Sequence, residues 1–296
     1  MRFTVIARRV APVFLLALIA GCATPKHAVD IKTRSPTGGR EVVVLIPQAE
    51  IYGDINQSTA GASMGLVGAL VDYAVNQHRL SKADQAVAPL RDALNGFSFD
   101  QKAVAATEDS LAKLPWLELK DSVYSKDNSP GNLMSLLDQS QAPEVILALY
   151  EYYLDPRFVD LRVELQVTIT TKAVPPGKSP GSRITPRNAI YAQSFMCVVP
   201  LANAGKDVSA NIHHWAQDQG AALRQAIDQA IEHVNALVAR GLQESPEDLP
   251  RIKERVKVTA GQTVWWGKLI DKDDDGTMII NWATGEWVYL AQKPVG

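Results

Sequence analysis

Between residues 158 and 173 the chain alternates with a period of two, and that pattern leaves it little conformational freedom. Val159, Leu161, Val163, Leu165, Val167 and Ile169 fall on one face of an extended segment, with Asp160, Arg162, Glu164 and Gln166 on the other. This is the pattern of an antiparallel strand with one face on the core and one wet face. Residues 145–154 supply the strand before it, around a turn at Asp155 and Pro156. Residues 189–199 supply the strand after it, across a Pro/Gly-rich loop from Val174 to Arg187.

The remaining elements follow from local pattern. The run Val42, Val43, Val44, Leu45, Ile46 is continuously apolar and rich in β-branched residues, as in a central strand buried on both faces. Met64, Leu66, Val67, Leu70, Val71, Ala74 and Val75 recur at helical spacing over 63–77. Ser81 and Asp100 open two further helices, to Leu94 and Leu114. Residues 116–124 read as a strand and 132–139 as a short helix. Ile212, Trp215, Leu223, Ile227, Ile231, Val234, Leu237 and Val238 mark one long amphipathic helix, with Gly241 placed as its left-handed C-terminal residue. Residues 255–290 alternate in short strands with turn signals at Gly261, Gly276 and Gly285, the mark of a β-meander. The fold class expected is therefore α+β. A mixed or antiparallel sheet packed with helices occupies 41–242, and a linker over 243–254 leads to a small aromatic-rich β module over 255–296.

Composition narrows function mainly by exclusion. A net charge of −2 provides no global basic field, so a nucleic-acid partner has no support. Two cysteines allow at most one disulfide, and one of them sits inside a targeting signal. Arg2, Arg8 and Arg9 precede an apolar run from Val10 to Ala20 that ends in Ile19, Ala20, Gly21 and Cys22. These residues resemble the lipobox of bacterial lipoproteins, with Ile19 where leucine is commoner. The resemblance implies cleavage after residue 21, lipidation of Cys22 and, with Ala23 following it, sorting to the outer membrane. Residues 22–40 then form a tether. Loss of the signal takes three positive charges and no acids, leaving a mature net charge of about −5. Cys197 is left without a disulfide partner and is expected on the buried face of a strand.

The order of elements over 41–242 is similar to the fold shared by periplasmic lipoproteins such as the penicillin-binding-protein activator LpoB, the CsgG assembly protein and the N-terminal domain of TolB. That similarity implies an envelope binding or assembly role and names no site residue.

Several short patterns admit chemistry. Gly61, Ser63 and Gly65 match the G-x-S-x-G of a hydrolase nucleophile elbow, but only one strand is credible before them. Gly61, Gly65 and Gly68 equally give a helix a smooth face for packing against a membrane or a neighbouring subunit. Asp271, Asp273, Asp275 and Gly276 reproduce the opening of a calcium loop, yet position 12 is Trp282, so the EF-hand reading fails. A hairpin turn or a weak Ca2+ site remains. His213, His214 and His233 are poorly placed to share a metal, and neither metal nor cofactor is expected. Trp265, Trp266, Trp282 and Trp287 crowd the last 32 residues. Either the meander docks on the main domain or it shows an aromatic surface to an envelope protein or peptidoglycan. Lys172, Lys178, Arg183 and Arg187 lie in an acid-free loop, either as a solvated connection or as a contact for anionic partners.

The expectation is a lipid-anchored cell-envelope protein facing the periplasm, a non-catalytic binding, scaffold or assembly factor joined to the membrane through Cys22. A lipid-anchored serine hydrolase using Ser63 and an oligomeric envelope assembly subunit are the alternatives.

Overall fold

The computed structural model describes residues 28–30, 34, 38–54, 80–185, 188–245, 255–282 and 285–295. Cys22, Ser63, Arg187 and the helix expected over 63–77 lie outside the described residues. In chain order the elements are β1 (Arg40–Leu45), β2 (Tyr52–Gly53), α1 (Leu80–Ala93), α2 (Phe99–Ala112), β3 (Leu119–Ser125), α3 (Pro130–Gln139), β4 (Glu144–Leu154) and β5 (Asp160–Thr171). After them come β6 (Tyr191–Pro200), α4 (Val208–Gln243), β7 (Arg255–Ala260), β8 (Thr263–Lys272), β9 (Met278–Trp282) and β10 (Trp287–Leu290). The strands form one mixed ten-stranded sheet in the order β3-β1-β4-β5-β6-β10-β9-β8-β7, with β2 paired to β4.

β1 pairs in parallel with both β3 and β4, which places its apolar run inside the sheet with both faces covered. β4, β5 and β6 are antiparallel neighbours, and the turn between β4 and β5 is tied by Asp155, whose Oδ1 accepts the N–H groups of Val159 at 2.6 Å and Asp160 at 3.1 Å. The apolar faces of β4, β5 and β6 carry α2 and α4. A polar knot is sealed between these layers. Tyr150 of β4 meets Thr107 of α2 at 2.7 Å and accepts from Asn235 Nδ2 of α4 at 2.7 Å, so each buried group has a partner.

α4 differs from the helix its periodicity suggests. Gln217–Gly220 leave helical geometry, with φ of 50, 57 and 72° at Asp218, Gln219 and Gly220. The break turns Arg224 toward α1, where its Nη2 donates to the carbonyls of Ala93 at 2.7 Å and Asn95 at 2.9 Å and closes the C-terminus of that helix. Gly241 is not a left-handed cap either; the helix runs past it to Gln243. A Cβ there would lie 2.7 Å from the Phe195 ring, so the glycine serves the close approach of α4 to β6.

The face of β5 expected to be wet is interior. Asp160, Glu164, Gln166, Thr168 and Thr170 are all buried. The reason lies far away in sequence. At one end, Val43, Leu45, Val145, Leu147 and Leu149 on this face are covered by Leu133 and Leu137 of α3 and by Ile184. At the other end β7 to β10 roll back over the sheet. Met196 and Val198 of β6 share a core with Val258, Trp265, Ile280 and Val288. Thr263 at the start of β8 donates to Asp160 Oδ2 at 2.9 Å. The meander also continues the sheet by hydrogen bonds, because β10 lies parallel to β6.

Candidate functional site

Between those two apolar cores the sheet carries a stripe of charge. Across β4 and β5, Glu151 faces Glu164 and Tyr153 faces Arg162. Across β5 and β6, Glu164 faces Met196 and Gln166 faces Ser194. Val288 of β10 pairs with Met196, so Glu286, two residues before it, joins the same face. Tyr52 of β2 pairs with Tyr153, and their rings stack at 5.5 Å and 16°. Glu164, Gln166 and Glu286 are buried and form the floor, while Tyr52, Glu151, Tyr153 and Arg162 are half-buried and form the rim.

The electrostatics of the stripe are dominated by burial. Desolvation pushes the Glu164 carboxyl well above its ordinary 4.5, and Glu286 and Glu151 push it further. Like charges placed directly opposite on paired strands repel, and a proton kept on Glu164 removes that repulsion. The phenols of Tyr52 and Tyr153 are raised for the same first reason, burial, with neighbouring carboxylates adding to it. Arg162 is committed elsewhere, to Asp160 at 2.8 Å and to the Trp265 ring, whose centroid lies 5.1 Å from its guanidinium carbon. Gln166 donates its Nε2 to Glu164 at 3.2 Å, and its own Oε1 is buried with no hydrogen-bond partner among the described residues. With Gln166 only 7% exposed, that oxygen is an acceptor held in place without a donor. Carboxylates, an amide oxygen and two tyrosine rings together suit a cationic group.

The residues singled out from the sequence are dispersed. Trp265 and Trp287 are core residues, Trp282 is half-buried with its ring 5.1 Å from that of Trp265, and Trp266 alone of the four projects outward, at 59% exposed. Lys178 is exposed, whereas Arg183 is buried and pins its loop to α3 through Asp138 at 2.8 Å and to the Lys172 carbonyl at 2.8 Å. Asp271 pairs with Arg240 at 2.5 Å rather than converging with Asp273 and Asp275, which are used in the β8–β9 turn. No three His, Cys, Asp or Glu side chains among the described residues are grouped to hold a metal ion. Cys197 is buried, and desolvation raises its thiol. The acid stripe shows in the sequence only as the polar half of an alternating strand, which gives no sign of what covers it.

No protein-family model and no curated protein matches this chain. Among the described residues no helix is long and apolar enough to cross a membrane.

Proposed function

We propose that this chain is a lipid-anchored cell-envelope protein, held at the outer membrane by acyl chains on Cys22 and facing the periplasm, that works by binding rather than by catalysis. The lipobox-like residues 19–22 support the anchor. The observation that carries the binding reading is Gln166, whose buried oxygen has no hydrogen-bond partner among the described residues and sits beside Glu164, a carboxyl pushed up by burial, at the floor of a tyrosine-rimmed acid stripe. A lysine or arginine side chain of an envelope partner completes such a site, because its N–H groups satisfy Gln166 and its charge offsets the neighbouring glutamates.

Photo-crosslinking in cells from position 52, with benzoylphenylalanine in place of Tyr52, tests this. A discrete adduct that fades in both Glu164→Gln and Glu151→Gln is the expected result. An adduct indifferent to both substitutions overturns the cationic partner. Hydrolysis of an envelope glycan or ester by the purified protein, abolished in Glu164→Gln, overturns the non-catalytic reading.

A further inference from the structure

The outer face of the β7–β8 hairpin has a composition unlike the rest of the surface. Its cross-strand pairs are Arg255 with Lys268, Lys257 with Trp266, and Thr259 with Val264. All six side chains are exposed, while Val258, Ala260 and Trp265 on the reverse face are buried in the rolled core. Trp266 at 59% and Val264 at 46% are the most exposed large apolar side chains of the described residues. Lys257 Nζ lies 5.0 Å from the Trp266 ring centroid, so cation and indole present one combined surface. From Arg255 to Ile270 the chain holds no aspartate or glutamate, and the first acid after it, Asp271, is neutralised by Arg240.

We propose that this face lies on the anionic lipid leaflet to which the chain is tethered, with Trp266 and Val264 at headgroup depth and Arg255, Lys257 and Lys268 among the lipid phosphates. Charge complementarity selects this occupant, because three cations with no acid among their cross-strand partners gain from an anionic surface and would repel a second copy of the same face. The aromatic component points the same way, since tryptophan is the side chain favoured at the boundary between hydrocarbon and water. The acyl chains supply attachment and the hairpin supplies orientation. The acid stripe lies on the opposite face of the strands and is turned away from the lipid. The proposal rests on the lipid anchor of the function proposed above and is independent of what the acid stripe binds.

A nitroxide on Val264→Cys reports the contact in the full lipidated protein. Cys197 is buried, so the introduced thiol is labelled selectively once Cys22 is acylated. In phosphatidylethanolamine–phosphatidylglycerol vesicles the label is expected to collide several-fold more with lipid-dissolved oxygen than with a water-soluble nickel chelate. That preference is expected to vanish in phosphatidylcholine vesicles, at high salt, and when Lys257→Ala and Trp266→Ala are added. A label that stays open to the nickel chelate in anionic vesicles overturns the proposal, as does one shielded from both reagents, the mark of a protein neighbour. Flotation with the vesicles and the mass of the acylated Cys22 peptide are read in the same sample. A chain that neither floats nor carries the acyl mass removes the anchor, and one that floats with a water-exposed label removes only the lipid-facing hairpin.

Discussion

Glu151 and Glu164 stand directly opposite one another on adjacent antiparallel strands, and the inner of the two is 8% exposed. Two glutamates in that register are tolerated when one keeps its proton, and this makes the sheet sensitive to pH. Burial and the neighbouring carboxylates raise the folded-state pKa of Glu164 above its unfolded 4.5, so its contribution is complete below about 4.5 and is lost as pH rises through the folded value. Through Glu164 the wild type is expected to lose about 1.4 kcal/mol for each pH unit across that range, while Glu164→Gln lacks this loss and is the more stable protein above neutrality. Urea midpoints measured against pH for the two proteins check it, and parallel curves refute it.

His233 carries the opposite dependence. It stacks on Tyr289 at 4.2 Å and is half-buried, and desolvation holds its pKa below the ordinary 6.5. A depressed folded pKa contributes stability that is present above about 6.5 and is lost as pH falls through the folded value. His233→Phe keeps the stack and is expected to remove this acid-side loss; melting temperatures at several pH values decide the matter.

Gly241 and Gly131 make a matched pair. A Cβ at Gly131 meets nothing within 4 Å, whereas one at Gly241 meets Phe195 at 2.7 Å. Alanine favours a helix at both positions, by up to about 1 kcal/mol. Gly131→Ala is expected to be neutral or stabilising, and Gly241→Ala to cost about 1–3 kcal/mol as α4 is pushed off β6. Equal effects in chemical denaturation would show that α4 has room to move.

Adjacent tryptophans separate stability from recognition. Trp265, at 2% exposed, fills the rolled core, and its loss is expected to cost about 3–5 kcal/mol. Trp266→Ala is expected to change stability by less than about 0.5 kcal/mol. Unfolding curves of the two variants provide the check, and only the second is a clean probe of the outer face.

Much of the architecture is legible because it is local. The β-branched run of β1, the alternation of β5 and the Asp155 turn each declare themselves within a dozen residues. The opposed facing of Trp265 and Trp266 follows from the pleat, but which of them is interior depends on β6, far back in the chain. The same distance hides the acid stripe: alternation separates Glu164 from Val163 and cannot say that Thr263 will close over Asp160. Gly241 misleads for a related reason. A glycine near a helix end fits a cap by position, and only the Phe195 ring reveals that it is there to make room.

The parallel pairing of β10 with β6 also sets an order of events in folding. Nearly 90 residues of chain separate the two strands, so their pairing is a slow, non-local step that follows the local hairpins. Until it happens, β6 is a sheet edge of Phe195, Met196, Cys197, Val198 and Val199, a template for association with other chains. An unfolded molecule is therefore most vulnerable in the interval between the completion of β6 and the arrival of β10, when that edge is the first apolar strand open to another chain.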